Sequence, residues 1–195
     1  MKFRMNFPLM LVMTFIPLVA GCNAGRTAAA DSTVTKRVER GRYLVSTSAC
    51  NDCHTPLKMT ERGPEPDMAH MLSGHPSSLK VPRPPKLDDG PWTWVGAGTN
   101  TAFAGPWGVT FTANLTPDQN SGLGIWTEDM FVRAIRTGRH MGTSRQIMPP
   151  MPWQVYRNMT DEDLKSIYAY LRTIPPVSNH VPQYLEPDEV EAALE

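Results

Sequence analysis

Residues 50 to 54 read Cys50-Asn51-Asp52-Cys53-His54. Two thiols three positions apart can each add across one vinyl group of a haem, and the adjacent imidazole then reaches the iron from the same helical turn. The pattern therefore predicts a covalent cofactor, haem c, held by Cys50 and Cys53, with His54 as one axial ligand to the metal. Two other chemistries use part of the same pattern. A thiol-disulfide redox pair wants a βαβ context, and a zinc site wants two further Cys or His ligands at short spacing. The sequence supplies neither.

Upstream of the motif, Val34, Val38, Gly41 and Val45 recur at spacings of four, three and four. That is one stripe of an amphipathic helix running almost into Cys50. A glycine inside such a stripe costs helix stability, so it points to close approach of another element. Further upstream, Asn23 to Thr33 are small, polar and without periodicity. They read as a flexible tether, spanning about 18 Å root-mean-square as a coil.

The first residues carry an address. Lys2 and Arg4 precede an apolar run from Phe7 to Ala20, the pattern of a secretory signal. The run is too short for a bilayer span, which needs about 20 residues. It ends in Leu18-Val19-Ala20-Gly21-Cys22, which resembles the lipobox of bacterial lipoproteins and predicts lipidation of Cys22; a plain secreted protein with a chance cysteine there is the alternative. The three cysteines are then all assigned, two to haem and one to lipid, and no structural disulfide remains to be placed. Export suits the haem reading, because thioether formation takes place outside the cytoplasmic membrane. Removing the leader leaves 17 basic against 19 acidic residues. With no basic stripe interleaved with aromatics, nucleic acid is not the expected partner.

Downstream, nine prolines between residues 55 and 110 predict neither helix nor central strand there. Trp92, Trp94, Phe103 and Trp107 point to a long loop that packs on something, at least in its second half. Two helices follow. Thr127 caps one whose stripe is Phe131, Ala134 and Ile135 and whose end is Gly138. Thr160 caps the other, with Asp161, Glu162 and Asp163 in its first turn, Leu164, Ile167, Tyr168 and Leu171 as its stripe, and Pro175-Pro176 beyond it.

Between those helices lies Ile147-Met148-Pro149-Pro150-Met151-Pro152-Trp153. The prolines stiffen the backbone, so a methionine is held out from a preorganised loop, and a weak iron–thioether bond forms with less loss of entropy. Met151 is the preferred sixth ligand and Met148 the second choice. In a chain with 12 methionines, both could instead be core filler. His70, His75, His140 and His180 each read as a surface or loop residue rather than a ligand, with His70 and His75, in the proline-rich insert, as alternative sixth ligands.

In this order the pieces resemble class I cytochrome c, an all-α fold, here with a long Pro/Gly-rich insertion after the haem motif. Asn114-Leu115-Thr116-Pro117-Asp118, Gly122-Leu123-Gly124-Ile125-Trp126-Thr127, Phe131, Ala134 to Gly138, Met151-Pro152-Trp153 and Tyr168-Ala169-Tyr170-Leu171 resemble single-haem relatives of the cytochrome subunits of bacterial membrane-bound dehydrogenases. The resemblance implies domain boundaries at 1–21 (leader), 22–33 (tether), 34–178 (cytochrome domain, insert about 56–110) and 179–195 (tail). It implies that Gly41 meets the last helix near Tyr170 and that backbone near Asn114 and Leu115 accepts the His54 proton. Trp126, Arg136 or Arg139 would bond haem propionates. The implied function is that of a lipid-anchored monohaem electron carrier, not an enzyme. It would face the periplasm or exterior and pass electrons from a dehydrogenase to the respiratory chain. The alternatives are a five-coordinate haem protein that binds a small ligand, and a haem-free dithiol oxidoreductase.

Overall fold

The computed structural model describes residues 1, 24–87 and 90–193. The leader and Cys22 lie outside the described residues. Helix α1 (Ala24–Thr47) leads to the short α2 (Cys50–His54). Two hairpin systems follow: β1 (Leu57–Thr60) with β2 (Gly63–Pro66), and β3 (Val95–Gly96), β4 (Ala102–Gly105) and β5 (Gly108–Phe111). Then come α3 (Glu128–Thr137), α4 (Trp153–Tyr156), α5 (Asp161–Leu171) and α6 (Pro187–Ala193).

The all-α expectation is therefore corrected. The described residues form six α-helices and two antiparallel sheets, of two strands (β1-β2) and three strands (β3-β4-β5), so the fold is mixed α/β. The strands lie in the insert that its prolines had marked as loop. In a two-stranded sheet each strand is an edge, so Pro64 and Pro66 sit opposite Met59 and Leu57 without depriving a central strand of donors. Pro106 stands in the two-residue turn between Gly105 and Gly108. The signal for that hairpin was confined to Val109-Thr110-Phe111, a β-prone run after the Pro-Trp turn.

The helical expectations hold where periodicity and caps carried them. Thr127 accepts from the Met130 amide, and Gly138 ends α3 in the left-handed region at φ 67°. Thr160 accepts from the Asp163 amide at the start of α5. Helix α1 runs back to Ala24, through residues read from sequence as a coil. Its buried face is Gly41, Leu44 and Val45; Val38 is half-buried and Val34 is 60% exposed, so the stripe is shorter than its spacing predicts.

Gly41 is where α1 crosses α5. A Cβ there would lie 1.9 Å from the Ser166 carbonyl oxygen and 2.8 Å from Tyr170 Cβ, so only glycine lets the helices approach. The core collects at this crossing: Leu44 and Val45 meet Leu164, Ile167 and Leu171, with Phe131 and Ile135 of α3, and Leu72 and Leu123 from the loops. Chain beyond residue 178, read as a tail, packs on the body. Leu185 exchanges both backbone hydrogen bonds with Val109, and Asn179 is buried.

Candidate functional site

Ala49 takes a left-handed conformation (φ 57°) that separates α1 from the Cys50–His54 turn. His54 is buried, and its Nδ1 lies 2.7 Å from the Ala113 carbonyl oxygen. A carbonyl only accepts, so Nδ1 carries the proton and Nε2 keeps its lone pair for a metal. The acceptor lies one residue before the Asn114-Leu115 stretch implied by the resemblance. Burial lowers the His54 pKa, with the Ala113 contact opposing, so the ring is held neutral.

The turn is fixed from several sides. Gly74 donates to the His54 carbonyl at 2.8 Å, and the Asn100 side chain donates to the Asp52 carbonyl at 2.7 Å. Thr55, fully buried, donates to Asn51 Oδ1 and accepts from the Leu72 amide. Asn114 organises the loop behind Ala113: its oxygen accepts from the Thr116 amide and hydroxyl, and its amide donates to the Val177 carbonyl at 2.8 Å.

Met151 is half-buried and, like Cys50, packs against the core cluster. Its loop is held at both ends. The Ile147 amide donates to the Gly138 carbonyl at 2.8 Å, and the Trp153 ring lies over Gly138, where a Cβ would come within 2.3 Å of it. Tyr156, just past the loop, donates to the Ser48 carbonyl at 2.6 Å, tying α4 to the residue two before Cys50. The Thr110 hydroxyl of β5 donates to the Pro149 carbonyl at 2.8 Å. Sequence reading missed Ala113, Thr110 and Tyr156; all three contacts use backbone carbonyls, which every residue has.

The residue chemistry fits a haem. Thr112 Oγ1 and Trp107 Nε1 are buried with no hydrogen-bond partner, and Thr112 directly precedes Ala113. A buried donor without an acceptor is costly, and for Thr112, next to the residue that holds His54, a haem propionate would provide the acceptor. A dithiol redox site fits less well. Burial pushes the Cys50 thiol up to about 11, and burial followed by the Asp52 charge raises Cys53, whereas reactive dithiols have lowered values. Among the described residues no group of three or more His, Cys, Asp or Glu side chains could hold a metal ion.

Other candidates are placed elsewhere. His75 lies in a loop of the insert, as expected, and is fully buried there. Its Nε2 donates to the Leu79 carbonyl and its Nδ1 accepts from Thr101, so both nitrogens are engaged within the insert. His70 pairs with Asp67 in an exposed position. Arg136 bonds the Arg157 carbonyl and Asp161, Arg139 bonds the Ser144 carbonyl, and Trp126 meets the His140 ring edge-on. Phe103 is buried, while Trp92 and Trp94 are exposed.

The chain is similar over most of its length to cytochrome c subunits of dehydrogenases, consistent with a relative of cytochrome c. It is 27% identical over 175 residues to the fructose dehydrogenase cytochrome subunit of Gluconobacter japonicus, covering 88% of this chain and 29% of that one. It is 25% identical over 169 residues to the gluconate 2-dehydrogenase cytochrome c subunit of Pantoea cypripedii, covering 86% and 30%. Against the cytochrome c subunit of the quinone alcohol dehydrogenase of Gluconacetobacter polyoxogenes, identity is 28% over 162 residues, covering 83% and 26%. The chain thus spans less than a third of the length of these relatives. No protein-family model matches it.

Proposed function

We propose that the chain is a monohaem cytochrome c that carries single electrons between a dehydrogenase and the respiratory chain. Cys50 and Cys53 would form the two thioethers, His54 Nε2 would be the proximal ligand and Met151 Sδ the distal one. The observation that carries this reading is the buried His54 ring, tied through Nδ1 to the Ala113 carbonyl on the same turn as both thiols. Met151 is preferred to Met148 because it packs against the core cluster that Cys50 also borders.

Haem c, when bound, supplies a one-electron iron couple whose ferrous state is favoured by a thioether ligand in an apolar pocket. The chain's own residues do the rest. Ala113 fixes the imidazole tautomer and orientation. The proline-rich loop presents a preorganised methionine, and the packed core keeps water from the ligands. No proton transfer or nucleophile is required, which agrees with a carrier subunit.

Lipidation of Cys22 would hold this carrier at the bacterial cell envelope, facing the periplasm or exterior. Among the described residues no helix is long and apolar enough to cross a membrane. Labelled palmitate should enter the wild type and be lost in Cys22→Ser.

The deciding experiment is the absorption spectrum of the exported protein, oxidised and reduced, beside Met151→Ala. The expected result is a low-spin haem in both states with the weak far-red band of a ferric iron–thioether bond, absent in the variant. A band that survives the substitution overturns Met151 as ligand. A high-spin wild type overturns the carrier reading in favour of ligand binding, and a colourless protein overturns the haem.

A further inference from the structure

One strand reaches both sides of the candidate site. β5 and its continuation carry Ala113, whose carbonyl accepts from His54 Nδ1 at 2.7 Å, and Thr110, whose hydroxyl donates to the Pro149 carbonyl at 2.8 Å. The second contact lies two residues before Met151. In Pro149-Pro150-Met151-Pro152 only Met151 has a backbone N–H, so this segment cannot brace itself with its own amides. A donor has to come from outside, and Thr110 supplies it. The hydroxyl has a single proton and two carbonyls in reach, Pro149 at 2.8 Å and Phe103 at 3.3 Å, and the shorter contact is the better hydrogen bond. Thr110 is buried at 8% exposure, so water does not readily replace it.

We propose that Thr110 is a positioning residue: its hydrogen bond to Pro149 holds the distal loop so that Met151 stays in ligand position, which makes the insert's sheet part of the haem site. This rests on the reading of Met151 as the sixth ligand. The iron–thioether bond is the weaker axial bond, so an external ligand enters through a minor state in which the methionine loop has swung away. Its apparent affinity then follows the population of that open state. Losing one hydrogen bond of ordinary strength raises that population about five-fold.

The test uses the exported holoprotein and titrates imidazole into the ferric form, read by loss of the far-red band. Thr110→Val keeps the shape and removes the hydroxyl; Thr110→Ser keeps the hydroxyl. The expected result is imidazole binding about five-fold tighter or more in Thr110→Val, near wild type in Thr110→Ser, with the Soret spectrum of the imidazole-free protein unchanged. If valine does not fold, Thr110→Ala removes the same hydroxyl without a branched side chain and is read in the same way. Equal imidazole affinity in wild type and the hydroxyl-free variant, with the band present in both, overturns the positioning role and leaves Met151 standing. A wild type without the band, or a band that persists in Met151→Ala, overturns both the ligand assignment and the role built on it.

Discussion

Thr55 follows His54 and has no exposed surface. Its hydroxyl donates to Asn51 Oδ1 at 3.0 Å and accepts from the Leu72 amide at 2.9 Å, so it links the cysteine turn to a buried residue of the insert. Thr55→Val keeps the volume but leaves the Leu72 N–H buried without an acceptor. The expected cost is about 1–3 kcal/mol, measured as a shift of the denaturant midpoint at unchanged slope. Thr55→Ser should recover most of it, and a valine variant as stable as wild type would show that Leu72 finds another partner. At this scale the motif residues were legible because thiols and imidazoles have few roles at that spacing. Thr55 and Ala113 were not: a threonine signals little by itself, and a backbone carbonyl has no sequence signature.

The element that decides the architecture is the crossing of α1 and α5, and its tolerance is set by one atom. In Gly41→Ala the new Cβ would sit 1.9 Å from the Ser166 carbonyl oxygen, which is backbone of the facing helix and cannot rotate away. The helices must move apart, and the contacts of Val45 and Leu44 with Leu164 and Leu171 loosen with them. Overpacking of this kind costs about 3 kcal/mol or more, enough to lower the yield of folded holoprotein. Thermal unfolding of purified holoprotein checks it, and a melting temperature within a degree of wild type would mean that the crossing is looser than it stands. Helices were legible from sequence because periodicity and an N-cap coincide in α3 and α5, with a terminal glycine closing α3 and two prolines lying beyond α5. The strands of the insert were hidden because short antiparallel pairs tolerate proline at edges and turns, so the residues that excluded a central strand did not exclude these.

For the molecule as a whole, the segment after Ser178 fastens the insert to the helical body. Asn179 Nδ2 donates to the Ser73 and His75 carbonyls at 2.7 and 2.8 Å, and its Oδ1 accepts from the Ser77 amide at 2.8 Å. Farther on, Leu185 pairs with Val109, Tyr184 bonds the Trp107 carbonyl, and α6 packs on β5. The partners of the Asn179 side chain lie 102 to 106 residues away in the chain, so no local pattern reports them, and two prolines after α5 make the segment read as a tail. Asn179→Ala strands three backbone groups at once, and the expected loss is about 3 kcal/mol. Ending the chain after Ser178 removes the Val109 pairing as well and exposes one edge of β5, the strand that reaches His54 through Ala113 and the methionine loop through Thr110. The truncated holoprotein should therefore lose more stability than Asn179→Ala. It should also weaken the far-red thioether band at denaturant concentrations where far-ultraviolet circular dichroism is still native. If band and dichroism disappear together at the wild-type midpoint, the segment is not a brace for the site, and β5 keeps its place through β4 alone.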